Sequence, residues 1–99
     1  MTEREILEAL REVIDPELGI DIVALGLVRA VEIDETGGVH VSLTMTTPAC
    51  PLGGLIARQA EESIRARVHG VVRAAVQIVD DPPWDPARMS AAAKETLGW

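Results

Sequence analysis

The chain's only cysteine, Cys50, lies in the stretch TMTTPACPLGG at residues 44–54. A thiolate is both a nucleophile and a metal ligand, so this residue is the first candidate for chemistry. The neighbouring hydroxyls of Thr46 and Thr47 could donate hydrogen bonds to the sulfur or to a bound ligand. Two prolines restrict the loop, and two glycines leave the following turn open to another molecule. The pattern favours a reactive or metal-binding sulfur, but a free cysteine is also a common small buried hydrophobic residue, and that alternative stays open.

The elements on either side of Cys50 predict how the thiol is positioned. Residues 39–46 alternate apolar and polar side chains, which is typical of a strand with one buried face. A helix follows, with Pro51 at its first position and Gly70 just past its end. Its apolar stripe comprises Leu52, Leu55, Ile56, Ala60, Ile64 and Val68. Cys50 then lies at a helix N-terminus, where unpaired backbone N–H groups stabilise an anion and lower the pKa of a thiol.

The rest of the pattern predicts a small two-layer α/β (α+β) domain. The first helix has Thr2 and Glu5 at capping-box spacing and ends at or before Asp15, because Pro16 follows. Residues 15–26 are interpreted as a structured loop. The other predicted elements are strands at 27–33 and 71–79, a hairpin turn at 34–38, a loop at 80–86 and a short helix at 86–97. The order αββαβα places helices on one face of a three-stranded sheet, in a single domain spanning residues 1–99.

Composition and charge exclude several classes of function. The chain has 99 residues and a formal net charge of −7, with ten of its 16 acidic residues in the first 35 positions. An acidic surface repels phosphate backbones, so we expect no nucleic-acid partner. One cysteine rules out an internal disulfide, and with two histidines it cannot easily supply a structural zinc site. No apolar run is long enough to span a membrane and the N-terminus is acidic, so we expect a cytoplasmic protein without membrane association.

Three segments together resemble the MIP18 family, also called DUF59. They are VIDPELGIDIVALGLV at 13–28, MTTPACPL at 45–52 and PPWDPARMSAAAKETLG at 82–98, and they cover nearly the whole chain. The family includes SufT-type iron–sulfur assembly factors and PaaD-like proteins of phenylacetate oxygenase clusters. The resemblance implies a fold similar to iron–sulfur scaffold domains of the NifU C-terminal type, and a role in maturing iron–sulfur proteins. PaaD-like members carry a further cysteine-rich C-terminal segment that is not seen in this sequence, so we expect a SufT-type factor.

The resemblance also implies roles for individual residues. The family's acidic motif falls on Asp15, Glu17 and Leu18, its threonines on Thr46 and Thr47, and its reactive cysteine on Cys50. Asp15 could lie near Cys50 and accept its proton or bind iron; alternatively it caps the turn that begins at Pro16. Glu17 fits a surface or loop-stabilising role better than a ligand.

A single thiolate limits how this chain could handle iron. Iron–sulfur clusters usually need four protein ligands, mostly cysteines, so Cys50 alone cannot hold a cluster stably. We therefore expect no stable cofactor, but transient binding of iron or a cluster at Cys50 within a complex of assembly machinery and recipient apo-proteins. A homodimer is one platform on which two such thiols could meet.

Two other classes of function remain open. A small thiol enzyme would use Cys50 as nucleophile, but His69 lies roughly 28 Å away along the helix and His40 a strand length away, so neither is placed to be its base. We expect both histidines to be surface residues and the chain not to be an enzyme. An adaptor protein would have no chemistry at Cys50. Trp84, in the proline-rich segment, is either a partner contact or a lid over a core that otherwise has no aromatic residue.

Overall fold

The computed structural model describes residues 1–46, 52–80 and 83–98. In chain order, the helices and strands are α1 (Glu3–Leu10), β1 (Ile14–Asp15), β2 (Ile20–Asp21), β3 (Val28–Ile33), β4 (Gly38–Leu43), α2 (Gly53–Arg67), β5 (Arg73–Ile78) and α3 (Ala91–Leu97). The longer elements follow the predicted order αββαβα, which confirms the mixed α and β class. No helix in the described part of the chain combines the length and the apolar character needed to cross a bilayer.

The first helix begins and ends as its sequence predicts. Thr2 is the N-cap, and its hydroxyl oxygen accepts the backbone N–H of Glu5 at 3.2 Å. The helix ends at Leu10, before Pro16 can interrupt it. Ile6 and Leu10, one turn apart, are fully buried, so the apolar stripe of α1 is the face that packs on the core.

The segment interpreted as a loop at 15–26 contains a short antiparallel ladder that the sequence did not predict. Ile14 pairs with Asp21 and Asp15 pairs with Ile20, and the turn between them includes Gly19 at φ 71. A ladder of two residues per strand is too short to produce a recognisable alternation, which explains why no strand was predicted there. The ladder is separate from the three-stranded sheet.

The main sheet has the strand order β3-β4-β5. β3 and β4 form an antiparallel hairpin, and in its turn Asp34 Oδ1 accepts the N–H groups of Thr36 and Gly38, both at 2.9 Å. β4 and β5 are parallel and are connected by α2, with Leu43 opposite Ile78. Parallel pairing brings the carboxyl ends of β4 and β5 to one edge of the sheet, which we call the carboxyl edge.

The core lies between one face of this sheet and helices α1 and α2. From the sheet it includes Val39, Val41 and Leu43, and from α2 it includes Ile56, Ala60 and Ile64. His40 and Gln77, on the opposite face, are exposed. Helices on one face of the sheet confirm the predicted two-layer arrangement.

Some predicted burial and boundaries were wrong. Leu55 was placed in the apolar stripe of α2 but is 43% exposed, because it lies one residue, about 100° of helix, away from buried Ile56. The strand predicted at 71–79 begins only at Arg73, and Val72, just before it, is 70% exposed. The strand predicted at 39–46 ends at Leu43, and Thr44, predicted on its polar face, is buried.

The helix predicted at 86–97 is broken into two pieces. Pro86–Arg88 form a single 3₁₀ turn whose N-cap, Asp85, accepts the N–H of Ala87 at 2.9 Å. Met89 is extended and buried, which interrupts the helix. Ser90 then caps α3 by accepting the N–H of Ala93 at 3.1 Å. A second N-cap in the middle of the predicted helix is the physical reason for the break.

Candidate functional site

The predicted reactive residues Cys50 and Thr47 lie outside the described residues, as does Pro51. Their neighbours in the chain are described on both sides, with Thr46 before them and Leu52 after them. The end of β4 and the start of α2, which flank this segment in the sequence, are therefore described next.

The end of β4 is held from two directions at the carboxyl edge. The N–H of Thr44 donates to the carbonyl of Leu27 at 2.8 Å, and the N–H of Val79 donates to the carbonyl of Leu43 at 2.7 Å. The first bond ties the strand to the turn at residues 22–28, and the second extends the pairing with β5. In open α/β sheets, ligands commonly bind beyond the carboxyl ends of parallel strands.

A pocket of about 60 Å³ opens at this edge. It is lined by Thr44, Met45, Thr46, Ile78, Val79, Asp80, Pro83 and Trp84. Small-molecule sites generally have volumes of about 300 Å³ or more, so the part of this pocket formed by the described residues is the size of a few water molecules. The lining residues comprise two threonines and one aspartate together with five predominantly apolar residues.

Helix α2 begins at Gly53, two residues later than predicted. Its N-cap, Leu52, has no side-chain oxygen and makes no side-chain capping hydrogen bond. The N–H of Ile56 makes a first intrahelical bond, to the Leu52 carbonyl at 2.9 Å. A β-carbon built on Gly53 would lie 3.6 Å from Met45 Cγ and 3.9 Å from Ile78 Cγ1, so this helix N-terminus is part of the carboxyl edge. Its first-turn N–H groups are the donors that would stabilise an anion there.

Trp84 folds back over the core, as the lid alternative predicted. Its indole Nε1–H donates to the carbonyl of Leu25 at 2.7 Å, and its half-buried ring packs against the core. Arg88 adds two further bonds to the same turn, from Nε to the Gly26 carbonyl at 2.9 Å and from Nη2 to the Val28 carbonyl at 3.3 Å. The segment 83–90 is thus bound along the 22–28 turn.

Asp15 is buried and acts as a turn cap. Its exposed fraction is 3%, and its Oδ1 accepts the N–H groups of Glu17 at 2.8 Å and Leu18 at 3.4 Å. Glu17 itself is exposed, and Leu18 is half-buried against the core. Within the described residues, none of the three lines the pocket or is hydrogen-bonded to Thr46. Asp15 therefore caps this turn, and its predicted proximity to Cys50 concerns a residue outside the described part of the chain. Of the described candidates, only Thr46 lines the pocket at the carboxyl edge.

Neither histidine lies at this edge. His40 is exposed in the middle of the hairpin, with Nε2 3.7 Å from Asp34 Oδ2. His69 is exposed just beyond the far end of α2, a helix of 15 residues and so about 22 Å long. Both positions agree with the prediction that the histidines are surface residues.

The described residues contain no group of three or more His, Cys, Asp or Glu side chains that could hold a metal ion. Two lining residues were missed as site candidates, Thr44 and Asp80. A usable signal was present, since each follows the end of a strand and parallel strands end at the same edge. It was missed because the predicted strand order was left open.

Comparisons with known proteins agree with this architecture. Residues 3–78 match the family described as iron-sulfur cluster assembly protein. The chain is 43% identical to the Fe-S protein maturation auxiliary factor YitW of Bacillus subtilis, over 97% of this chain and 93% of the relative. It is 45% identical to the Fe-S protein maturation auxiliary factor SufT of Staphylococcus aureus, over 87% of this chain and 97% of the relative.

A crystal structure of a DUF59 domain from Bacillus anthracis is 42% identical and superposes with a TM-score of 0.93, over 97% of this chain and 91% of that one. The family match, the sequence identities and the shared fold all support the same assignment. This chain belongs to the iron–sulfur cluster assembly protein family, the DUF59 group that its three sequence segments resemble.

Proposed function

We propose that this chain is a maturation factor for iron–sulfur proteins and that it passes iron or a cluster to recipient apo-proteins through transient ligation by Cys50. Family membership over residues 3–78 is the observation that carries the proposal. The names of the two relatives describe auxiliary maturation factors, which supports a helper role in place of a catalytic one. The iron or cluster is cargo in this proposal, not a resident cofactor.

The carboxyl edge is where we place this activity. Only Pro51 separates Cys50 from Leu52 in the chain, and α2 begins one residue later. The N-cap residue Leu52 provides no side-chain hydrogen bond to the first-turn N–H groups. Those N–H groups supply positive potential for a thiolate or for the sulfides of a cluster. Thr46, half-buried on the other side of the same edge, has a hydroxyl group that could add a further donor.

Transfer from a single thiolate is a ligand exchange. A thiol of the recipient loses its proton and binds the iron, and Cys50 leaves as a thiolate that takes up a proton from solvent. No change in the oxidation state of iron is needed. Because iron–sulfur clusters usually have four protein ligands, the remaining ligands come from a partner, from the recipient or from a second copy of this chain.

The pocket volume of about 60 Å³ argues against a thiol enzyme acting on small molecules. The absence of a histidine at the carboxyl edge, among the described residues, argues the same way. A lone thiol that must stay reduced also fits a reducing compartment such as the cytoplasm, which we propose as the location.

The proposal is tested by deleting the gene in the source organism and restoring it with wild type, Cys50→Ser or His69→Ala. We expect deletion to lower the activities of several iron–sulfur enzymes and to leave cluster-independent enzymes unchanged. Wild type and His69→Ala should restore the activities, since His69 is exposed at the far end of α2, and Cys50→Ser should not. Equal losses in both groups of enzymes would contradict a role in iron–sulfur maturation.

Reconstitution with iron and sulfide separates direct ligation from an adaptor role. We expect wild type to gain charge-transfer absorbance in the presence of an apo-recipient, and Cys50→Ser to gain much less. If Cys50→Ser captured the same partners and restored every activity in cells, the adaptor function would replace ligation by Cys50.

A further inference from the structure

We propose that the open groove between α1 and the second half of α2 is a docking surface for a basic amphipathic helix of a partner protein. The inference goes beyond the proposed function, because it assigns a second surface and needs no chemistry at Cys50. None of the described residues that line this groove lines the pocket at the carboxyl edge.

The groove lies where the two helices pack side by side. The Ser63 hydroxyl donates to the Ala9 carbonyl at 2.7 Å, and Arg67 Nη1 lies 3.5 Å from Glu12 Oε1, so two side-chain contacts hold α2 against α1 and the residues after it. One open hollow of about 530 Å³ and another of about 360 Å³ adjoin at Glu12 and Arg67. Together they form a continuous groove with room for several side chains of a bound helix.

The lining of the groove is predominantly acidic. Against the single guanidinium of Arg67 it places four glutamates, which are Glu5, Glu8, Glu12 and Glu62. Three of them have cations nearby: Arg67 for Glu12, Arg4 Nε at 3.8 Å for Glu8 and the N-terminal ammonium at 3.8 Å for Glu5. Ion pairs between exposed side chains are weak, so the cations of a partner can replace those of Arg4 and the N-terminus at little cost.

An exposed apolar side chain accompanies these charges. Ile14 lines the larger hollow and is 45% exposed, which is unusual for an isoleucine beside the core. On the facing helix, Ala66 is exposed in the same hollow, and its short side chain leaves room for a partner to approach. Apolar contacts flanked by carboxylates match a helix that has leucine-like side chains on one face and Lys or Arg beside them.

Charge complementarity favours a partner protein over a second copy of this chain. The formal net charge is −7, so two copies repel each other at long range. A two-fold interface through this groove would also place the same four glutamates on both sides, because such an interface brings identical surfaces together. A basic helix removes both conflicts.

The test is the fluorescence anisotropy of a short labelled peptide that contains only leucine and lysine, with the leucines at helical spacing. We expect wild type to bind this peptide at low salt. The double variant Glu8→Gln/Glu62→Gln should bind it about threefold to tenfold more weakly, since two of the four carboxylates lose their charge. Ile14→Ser should weaken binding about threefold, through the lost apolar contact. A wild-type chain that does not bind the peptide would refute the inference.

The matched control is Glu17→Gln/Glu35→Gln. It makes the same change in net charge at two exposed glutamates that do not line the groove. We expect its affinity to stay within about twofold of wild type, because exposed charges farther apart than the screening length interact little. Equal weakening in the two double variants would show that net charge alone attracts the peptide, and the groove would then have no specific role.

A second peptide separates helix recognition from simple ion pairing. It has the same composition, but its leucines and lysines alternate, so a helix formed by it has no apolar face. Binding equal to that of the first peptide would contradict recognition of an amphipathic helix. Amide chemical shifts locate the contact: we expect the largest changes at residues 8–14 and 59–67, and changes confined to the carboxyl edge would contradict the assignment of the groove.

Two further measurements separate this inference from its alternatives. If sedimentation velocity shows a wild-type dimer that Ile14→Ser dissociates, a second copy covers the groove and the partner-helix inference is wrong. Cys50→Ser should bind the peptide as wild type does, since Cys50 is not among the residues that carry the inference. Loss of peptide binding in the groove variants, with iron–sulfur enzyme activities still restored in cells, would leave the proposed function intact and show that it does not need this surface.

Discussion

Position 26 requires glycine for two reasons, its backbone conformation and the close approach of Arg88. Its φ is 74, in the left-handed region, and a β-carbon there would collide with the backbone carbonyl oxygen of Arg88. We expect Gly26→Ala to lower the free energy of unfolding by about 2 kcal/mol or more, because a strained conformation and a contact with rigid backbone add together. Urea unfolding followed by circular dichroism measures this loss. A change below about 0.5 kcal/mol, the usual range of surface substitutions, would show that the 83–90 segment can move away at little cost.

Gly54 offers the opposite case, in the first turn of α2. It is exposed, its φ is not positive, and a β-carbon built on it meets nothing within 4 Å. Gly54→Ala should therefore raise the free energy of unfolding by about 0.5 kcal/mol through the lower entropy of the unfolded chain. If a recipient approaches this turn closely, the same variant should transfer iron or clusters more slowly although it is more stable. Higher stability with unchanged transfer would show that a partner does not need the open space at this position.

Asp34 supplies the clearest pH dependence. Hydrogen bonds from the Thr36 hydroxyl and from the N–H groups of Gly38 and Thr36, with the nearby Arg73 charge, lower the pKa of Asp34 from 3.8 to about 2. The folded-state pKa is depressed, so the carboxylate stabilises the fold above about pH 4, and this contribution is lost as the pH falls from about 4 to 2.

Comparing Asp34→Asn with wild type tests this dependence. We expect the variant to be less stable at pH 6, and the difference in unfolding free energy to shrink as the pH is lowered to about 2. Urea unfolding at pH 6, 4 and 2.5 provides the measurement. A difference that stays constant over this range would mean that the bonds in the turn do not depend on the charge of Asp34.

Among the elements, β5 has an edge that α2 protects. The N–H of Val76 donates to Glu61 Oε2 at 3.0 Å, so a side chain of the helix occupies a donor on the edge strand. Unpaired edge donors are templates for strand pairing between molecules. Glu61→Ala should lower the free energy of unfolding by about 1 kcal/mol and increase self-association, whereas Glu61→Gln keeps an acceptor and should do neither to the same extent.

Urea unfolding and sedimentation velocity measure the two effects of the Glu61 variants. Glu62→Ala is the control, because its side chain is exposed one residue further along the helix and makes no hydrogen bond to the described residues. Equal behaviour of the Glu61 and Glu62 variants would show that the edge bond has no measurable effect.

Elements with a long periodic pattern could be predicted from sequence, and short ones could not. Alternation from Val39 to Leu43 and the capping box of α1 located a strand and a helix correctly. The β1–β2 ladder has no period to detect, and its pairing depends on the whole fold. Two local signals compete for the start of the last helix, Pro86 and Ser90. Ser90, the N-cap nearer the apolar run, begins the α-helix, whereas Pro86 begins only a 3₁₀ turn.

The site was predictable only in part, for the same reason. Thr46 was identified from its position in the chain, but Thr44, Asp80 and Trp84 meet only because β4 and β5 are parallel and residues 83–90 fold back onto the 22–28 turn. Contacts between residues about 35 or more positions apart depend on strand order, which no local pattern encodes. The proposed role of Asp15 near Cys50 drew on the resemblance, whereas its capping role followed from the neighbouring proline.

At the scale of the whole molecule, the C-terminal segment completes the core. Met89 and Ala93 are buried in it, and Trp84 packs at its margin, although all three lie beyond the residues that match the family profile. A chain that ends at Asp80 should lose at least about 3 kcal/mol of stability, because burial of one large apolar side chain alone stabilises by about 1.5–3 kcal/mol.

Thermal unfolding of three chain lengths tests this expectation. The chain ending at Asp80 should be largely unfolded or should melt at a much lower temperature than the full chain. A chain ending at Ser90 keeps Trp84 and Met89 and should lie between the two. If the shortest chain melted like the full one, the C-terminal segment would be an accessory to the fold and not part of its core.

The scarcity of aromatic residues has a practical consequence. With no Phe or Tyr in the sequence, the near-ultraviolet emission of this protein comes only from Trp84 and Trp99. A Trp99→Phe substitution would leave one fluorophore, placed on the wall of the pocket beside Thr46. Its fluorescence intensity and emission maximum would then report on changes at that edge in real time without an added dye. Binding of a light-absorbing cargo, for example, would quench the emission.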